Sequence, residues 1–248
     1  MHRHRLKQRQ MHCTMPMPMP MPPHYPEEYV TGTVTFFGRE FTVTPDVLIP
    51  RLETEWLVRR ARSYLTALPS DKHITVIDLG CGSGIIWVSC ADLADEVIFL
   101  DISPGALEVA RENFLRYLPQ EKWRFIVSDL LWAVSSSICN LESRIYIFAN
   151  LPYIKWDDWA HMSADTHFEP ELALFGGEKT GFEMYERLFT QLSVINYELL
   201  IIIEFGFDQR EIAEKIIRWY GWEYHFFADH VGVKRFCEIE LLNIKNIV

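Results

Sequence analysis

The sequence predicts an α/β domain built around a mostly parallel sheet of seven strands. From residue 74 onwards, short and strongly apolar segments alternate with longer segments in which apolar residues recur at helical spacing. The first kind is typical of strands buried on both faces, and the second is typical of helices that cover such a sheet. Only residues 229–235 join the last two strand segments. That connection is too short for a helical crossover, so the last strand is predicted to be antiparallel.

The individual elements follow in chain order. Thr alternates with apolar residues between Val30 and Phe37, and the alternation resumes after Gly38-Arg39, which predicts a β-hairpin followed by an extended linker at 47–50. Helices are predicted at 53–68, 85–93, 104–118, 182–192 and 209–220. Strands of the main sheet are predicted at 74–79, 97–101, 125–127, 145–149, 199–205, 222–228 and 236–242.

Three sections of chain are therefore expected: a tail at 1–26, the hairpin and linker at 27–50, and the main domain at 51–248. The tail is basic and rich in Met and Pro. Its Met-Pro repeat cannot continue a helix, because proline lacks the backbone N–H and clashes with the preceding turn. The tail is predicted to be disordered.

Composition narrows the class of protein. The chain has 248 residues, of which 49% are hydrophobic, and its formal net charge is -10. This supports one sizeable core, while the acidic balance disfavours a broad nucleic-acid-binding surface. No apolar run is long enough for a transmembrane helix, so no membrane partner is expected. Scattered cysteines without a CxxC pair predict a reduced, cytoplasmic protein with no metal site: Cys13, Cys81, Cys90, Cys139 and Cys237.

A glycine-rich loop, Gly80-Cys81-Gly82-Ser83-Gly84, follows the first strand of the sheet and is preceded by Asp78. Glycines here let the backbone turn tightly and approach a ligand closely. A dinucleotide-binding GxGxxG pattern fails at Ile85, and the GK[ST] of a P-loop is absent. S-adenosylmethionine carries an ammonium and a sulfonium but no pyrophosphate, so the acid at Asp78 favours that cofactor. A tight turn without a ligand is the alternative for the loop alone.

Asp101 ends the next strand of the sheet. A carboxylate at this point can accept hydrogen bonds from both ribose hydroxyls of a nucleoside. Ser103 and Pro104 follow, and they are residue types typical of an N-cap and a first helical position. Asp101 therefore strengthens the cofactor interpretation of the loop.

Asn150-Leu151-Pro152-Tyr153 immediately follows the predicted strand at 145–149. Open α/β sheets bind ligands beyond the carboxyl ends of their strands. The Asn150 side-chain carbonyl and a nearby backbone carbonyl can accept hydrogen bonds from a planar NH₂ group, Pro152 stiffens the turn, and Tyr153 offers a flat face. This favours methyl transfer to a carboxamide or an exocyclic base amine by positioning. An ordinary turn is the alternative.

Together these residues resemble the release-factor glutamine methyltransferases, a family of the Rossmann-like S-adenosylmethionine-dependent methyltransferases. The resemblance covers roughly residues 27–248. It rests on Phe36-Phe37-Gly38, Val47-Leu48-Ile49-Pro50-Arg51-Leu52-Glu53-Thr54-Glu55, the loop at 78–84, Asp101-Ile102-Ser103-Pro104, Ala110-Arg111-Glu112-Asn113, Ser128-Asp129-Leu130, Asn150-Leu151-Pro152-Tyr153-Ile154, Phe168-Glu169-Pro170, Leu172-Ala173-Leu174, Gly176-Gly177, Glu204-Phe205-Gly206, Asp229, Gly232 and Arg235.

The resemblance implies N5-methylation of the glutamine side chain in the Gly-Gly-Gln motif of peptide chain release factors. S-adenosylmethionine is the implied cofactor, and a release factor is the implied protein partner. Asn150, Leu151, Pro152 and Tyr153 would hold the glutamine amide. The expected cofactor contacts are Asp78, Gly80, Cys81, Gly82, Ser83, Gly84, Asp101, Asp129, Leu130 and Asn150.

The sequence departs from the family pattern at Leu52 and Leu151, where proline is usual. Leu151 keeps its backbone carbonyl, so that acceptor survives. The segment also resembles the motif of rRNA adenine dimethyltransferases, which keeps N6-adenine methylation of RNA or DNA as one alternative. A truncated, non-catalytic homologue that binds only the cofactor is the other. Bacterial members of the family carry an N-terminal helical domain that helps bind the release factor, and in this sequence the Met/Pro-rich tail stands in its place.

Overall fold

The computed structural model describes residues 21–68, 73–118, 123–138, 143–195 and 197–241. Residues 1–20 of the predicted tail, together with Cys13 and Cys139, lie outside these ranges. Within them, no helix is long and apolar enough to cross a membrane.

The N-terminal unit contains the predicted hairpin, preceded by a short helix. Its elements are α1 (Glu27–Thr31), β1 (Thr33–Phe36) and β2 (Arg39–Thr42). The expectation that strand pairing starts at Val30 is wrong, because Val30 lies in α1. Pro26 precedes this helix, two glutamates occupy its first turn, and Gly32 ends it in the left-handed conformation. These helix start and stop signals outweigh the alternating pattern.

Nine further strands follow in chain order: β3 (Ile74–Leu79), β4 (Glu96–Asp101), β5 (Trp123–Val127), β6 (Arg144–Ala149), β7 (Ile154–Lys155), β8 (Phe175–Gly177), β9 (Leu199–Glu204), β10 (Glu223–Phe227) and β11 (Phe236–Leu241). All except β7 and β8, which pair with each other, form one sheet in the order β10-β11-β9-β6-β3-β4-β5. β11 is antiparallel to both neighbours, and the other pairs are parallel. The predicted seven-stranded fold is confirmed.

Helices cover both faces of the sheet, as the amphipathic segments predict. They are α2 (Thr54–Thr66), α3 (Ile85–Val88), α4 (Pro104–Tyr117), α5 (Ser135–Ile138), α6 (Glu171–Leu174), α7 (Glu183–Ser193) and α8 (Arg210–Tyr220). Buried apolar residues of α2 and α3 belong to one core cluster with Leu107, Ala110 and Phe114 of α4, and those of α7 and α8 belong to another. Ala106 and Val109 of α4 pack instead against the N-terminal unit. The sheet lies between the two clusters.

The helix predicted at 85–93 is interrupted. α3 ends at Val88, and a separate 3₁₀ turn follows at Ala91–Leu93. Three of the four residues in α3 are β-branched, a class that loses side-chain freedom in a helix, and all four are buried. This segment therefore packs against α2 and α4 as a single buried helical turn. It has no solvent-facing side, unlike the longer amphipathic helices of the domain.

Asn113 of α4 fastens the hairpin to the glycine loop. Its side-chain nitrogen donates hydrogen bonds to the backbone carbonyls of Thr42 and Ser83, both at 2.9 Å, and its Oδ1 accepts one from the Thr42 N–H. The side chain is fully buried. One residue thus holds β2 beside the carboxyl end of β3, where the predicted site lies.

Candidate active site

The glycine loop and the Asn150 segment meet where the strand order of the sheet reverses. β3 and β6 are parallel neighbours, and Leu79 pairs with Ala149 in their register. The next residues along the two strands, Gly80 and Asn150, therefore leave the sheet side by side. A switch point of this kind opens a crevice in which α/β sheets bind ligands.

Gly80 permits the closest approach between the two segments. Its φ is +66°, a left-handed conformation, and an added Cβ would meet Leu151 Cδ2 at 2.8 Å. The N–H groups of Gly80 and Cys81 both donate to the Leu100 carbonyl, at 2.8 and 3.0 Å. The loop is therefore held to β4 on one side and packed against Leu151 on the other.

A cavity of about 260 Å³ lies over this crevice. Eight of the predicted cofactor residues line it: Gly80, Cys81, Gly82, Ser83, Asp101, Asp129, Leu130 and Asn150. The stretch 45–51, which follows the hairpin, also contributes lining residues that were not among the predicted site residues: Pro45, Asp46, Val47, Leu48, Pro50 and Arg51. Two predicted residues do not line it. Asp78 is buried within β3, and Gly84 packs against Ala110 of α4.

Asp101 presents both carboxylate oxygens at the end of β4. Oδ2 accepts the Gly82 N–H and Oδ1 accepts the Ser103 N–H, each at 2.9 Å. Burial raises the pKa of Asp101, and these backbone hydrogen bonds act against the rise. A carboxylate has lone pairs for further donors, so Asp101 can still accept from ribose hydroxyls while it shapes the loop.

Asp78 is a fully buried acid at the carboxyl end of β3. Burial raises its pKa well above the usual range, and a hydrogen bond from the backbone of Trp87 acts against that rise. Burying a carboxyl group is costly, and a nearby cationic ligand offsets that cost. Together with the open glycine loop and the spare acceptors of Asp101, this fits a cationic nucleoside cofactor.

Leu130 lines the same cavity in a strained backbone conformation. Its φ is +54°, which is uncommon for a residue with a branched side chain. The Ser128 hydroxyl donates to the Leu130 carbonyl at 2.7 Å and accepts the Ala133 N–H at 3.1 Å. The turn thus holds an apolar side chain against the cavity, beside the exposed pair of Asp129 and Arg187.

A second cavity of about 180 Å³ adjoins the first. Asn150, Leu151, Leu48, Arg51 and Ala173 line both cavities. Tyr153 lines only the second, and Pro152 lines only the first. The predicted catalytic segment therefore forms part of the wall between the two.

The side-chain amide of Asn150 is tied to a polar group behind it. Its Nδ2 donates to the Thr54 hydroxyl at 3.2 Å, and both residues hydrogen-bond Glu204 at the end of β9. Burial raises the pKa of Glu204 to about 7, while these hydrogen bonds and the charge of Arg235 lower it. Because its nitrogen is held by Thr54, the amide oxygen of Asn150 is left as the acceptor toward the cavities.

Arg51 and Glu169 form an ion pair at the edge of both cavities. The carboxylate of Glu169 is almost fully buried, and its Oε1 also accepts the Ile49 N–H at 3.0 Å. Burial raises the pKa of Glu169, and Arg51 lowers it. The pair fixes the linker against the segment that precedes α6, so it gives the cavities their shape.

Several residues that hold the site together have no role that the sequence predicts. Thr54 and Arg51 lie in the stretch on which the resemblance rests, but their partners Asn150 and Glu169 are distant in sequence. Tyr185 of α7 and Gln209, which immediately precedes α8, hold the Asn150 segment. No local pattern marks such residues, because only the tertiary fold brings them to the site.

Comparison with known proteins agrees with this geometry. Residues 76–166 match a family model described as a methyltransferase domain. A release factor glutamine methyltransferase of Koribacter versatilis is 39% identical over 206 residues, which are 78% of this chain and 67% of that protein. A bifunctional methyltransferase of Rickettsia typhi is 32% identical, and the match covers 89% of this chain but 45% of that protein. The chain thus spans less than half of the bifunctional relative.

A solved structure shares the fold at low sequence identity. The hMettl16 catalytic domain, in complex with the MAT2A 3′UTR hairpin 6, has a TM-score of 0.55 and 11% identity, with coverage of 86% of this chain and 88% of that one. The methyltransferase domain uses S-adenosylmethionine, the cofactor that the first cavity fits. From its sequence relatives, this chain belongs to the release factor glutamine methyltransferase family.

Proposed function

We propose that this chain methylates the side-chain nitrogen of the glutamine in the Gly-Gly-Gln motif of a peptide chain release factor. The observation that carries the proposal is the shared wall: Asn150 and Leu151 line both the cofactor cavity and its neighbour. A planar amide in the second cavity would therefore meet two fixed oxygen acceptors next to the methyl donor.

Asn150 and Leu151 would act by positioning. An amide nitrogen is a weak nucleophile, because its lone pair is delocalised into the carbonyl group. The Asn150 side-chain oxygen and the Leu151 carbonyl would accept hydrogen bonds from its two N–H groups, which orients the nitrogen and increases its electron density. One of the two N–H protons is released to water after the methyl group is transferred. When bound, S-adenosylmethionine supplies an electrophilic methyl group with a neutral thioether as leaving group. The ring of Tyr153 would pack against the flat amide.

The second cavity suits a narrow, uncharged side chain. Its wall is mainly apolar, with Leu48, Ile154, Met162 and Leu174 among its residues. The one cationic lining residue, Arg51, is already paired with Glu169. A glutamine side chain can enter such a slot without burying an unpaired charge.

Methylation of adenine in RNA or DNA is the competing function. It would use the same acceptors, but a polynucleotide also needs basic residues along its path. The formal net charge of -10 argues against such a path. A cofactor-binding homologue without activity is the second competitor, and it predicts no methyl transfer to any acceptor.

Mass spectrometry of a cognate release factor, incubated with the protein and S-adenosylmethionine, tests the proposal. We expect one added methyl group on the peptide that contains Gly-Gly-Gln, and loss of this product in Asn150→Ala. Asp157→Asn is the control, because Asp157 is exposed and lines neither cavity. Methylation of an RNA fragment but not of the release factor would contradict the proposal, as would cofactor binding without any product.

A further inference from the structure

The hydroxyl group of Tyr185 contacts the backbone of the predicted catalytic segment from α7. Tyr185 is fully buried and lines neither cavity. The Leu151 N–H donates to its hydroxyl oxygen at 2.9 Å. The hydroxyl in turn donates to the Glu204 carbonyl, and the Ala149 carbonyl lies 3.4 Å away. One hydroxyl therefore joins the carboxyl ends of β6 and β9.

The N–H held by Tyr185 belongs to the peptide group between Asn150 and Leu151. A peptide group is planar, so fixing its orientation constrains ψ of the residue before it and φ of the residue after it. Together with ψ of Leu151 and the rotamer of Asn150, these angles determine how the Asn150 side chain and the Leu151 carbonyl leave the backbone. A single hydrogen bond thus restrains both acceptors.

Gln209 holds the other end of the same segment. Its Nε2 donates to the carbonyls of Tyr153 and Thr180, at 2.8 and 2.9 Å, and its Oε1 accepts the Gly206 N–H at 2.9 Å. Between the two ends, Pro152 restrains its own φ through its ring. The orientation of Leu151 is the degree of freedom left for Tyr185 to fix.

The residue type at 151 gives this contact its importance. A proline there would have a fixed φ and no N–H, whereas Leu151 has a free φ and a buried N–H that needs a partner. We propose that Tyr185 is a positioning residue for methyl transfer, whose hydroxyl fixes the Asn150–Leu151 peptide so that both acceptors face the acceptor nitrogen. This inference rests on the proposed function and gives Tyr185 no contact with substrate or cofactor.

Steady-state kinetics of Tyr185→Phe test the proposal, since this change removes only the hydroxyl. We expect kcat to fall by about tenfold to a hundredfold, the scale of a misplacement of about 1 Å, with little change in KM for the release factor or Kd for S-adenosylmethionine. Tyr197→Phe is the matched control, because the Tyr197 hydroxyl donates to the Ser143 carbonyl at 2.6 Å near the opposite end of β6. Its kcat should equal that of the parent protein.

A double-mutant cycle separates positioning from general stability. Leu151→Pro removes the N–H that Tyr185 holds, so adding Tyr185→Phe to that variant should change kcat by less than about twofold. Circular dichroism confirms that each variant is folded. If Tyr185→Phe lowers kcat by the same factor in the parent protein and in Leu151→Pro, the proposal is overturned. An unchanged kcat in Tyr185→Phe would overturn it as well.

Amide hydrogen exchange supplies a readout that needs no release factor. In Tyr185→Phe the Leu151 amide should exchange about tenfold faster, while the Ile147 amide in the middle of β6 keeps its rate. If the parent protein leaves the Gly-Gly-Gln peptide unmodified, the proposed function fails, and exchange alone decides whether Tyr185 holds Leu151. An unchanged Leu151 exchange rate overturns the inference in either case.

Discussion

The backbone of Gly80 lies directly against the side chain of Leu151: a Cβ placed on Gly80 would come within 2.8 Å of Leu151 Cδ2. The two residues leave adjacent parallel strands, so this contact joins the cofactor loop to the predicted catalytic segment. A side chain at position 80 therefore requires the end of the Leu151 side chain to shift.

Gly80→Ala should weaken S-adenosylmethionine binding and lower stability. The methyl group overlaps Leu151, and the left-handed backbone costs about 1–2 kcal/mol for a residue with a Cβ. Gly221→Ala is the control: it has a φ of +72° but no atom within 4 Å of an added Cβ. Denaturant unfolding should give similar losses for both variants, and calorimetry should show weaker cofactor binding for Gly80→Ala only. Equal cofactor affinity in the two variants would contradict the expectation.

Asn113→Ala should destabilise the fold by about 3 kcal/mol, because it leaves buried polar groups of Thr42 and Ser83 without partners. Urea unfolding measures this loss. Arg111→Gln, on the exposed side of the same helix, should change stability by less than about 0.5 kcal/mol. If Asn113→Ala unfolds at the same urea concentration as Arg111→Gln, the hairpin does not depend on Asn113.

Glu204→Gln should change how stability depends on pH. The pKa of Glu204 is raised from 4.5 to about 7, so the folded protein keeps a proton that the unfolded chain releases within that range. Stability from this group is therefore complete at low pH and is lost as pH rises toward 7, by about 3 kcal/mol in total. Glutamine cannot titrate. The free energy of unfolding of the variant minus that of the parent should rise across this window, and a flat difference would contradict the assignment.

Arg51→Ala should destabilise the protein by about 1–3 kcal/mol at neutral pH, because the buried carboxylate of Glu169 loses its cation. The loss should shrink on acidification, when Glu169 becomes protonated. The double variant Arg51→Ala/Glu169→Gln should recover part of the stability, since no uncompensated charge remains. Thermal unfolding at pH 5 and pH 8 measures both variants and the parent protein, and a loss independent of pH would argue against the pair.

Much of the fold could be predicted from sequence because its strands are buried on both faces. Segments such as β3 and β9 are continuous apolar runs, which leave little ambiguity about what is interior. The bounds of α1 and α3 are harder to predict. In α1, capping residues favour a helix although the apolar pattern alternates as in a strand. In α3, the helical pattern continues beyond Val88, but burial of all four helical residues ends the helix there.

The residues of the candidate site also differ in how well the sequence predicts them. Gly80, Asp101 and Asn150 stand at strand ends, and topology alone brings strand ends together. The residues that hold the Asn150 segment, Thr54, Tyr185 and Gln209, come from helices or loops far away in sequence. Their roles depend on side-chain hydrogen bonds that no periodic pattern encodes.

The partition between the two cavities has an energetic consequence. The Asn150 segment forms part of this partition. A molecule bound in one cavity therefore contacts the same segment that a molecule in the other cavity would contact. Affinities coupled through a common element must change by the same factor in both directions. If methyl donor and acceptor occupy the two cavities as proposed, any change that one makes in the affinity for the other should be reciprocal, and variants of Asn150 and Leu151, which line both cavities, should alter it.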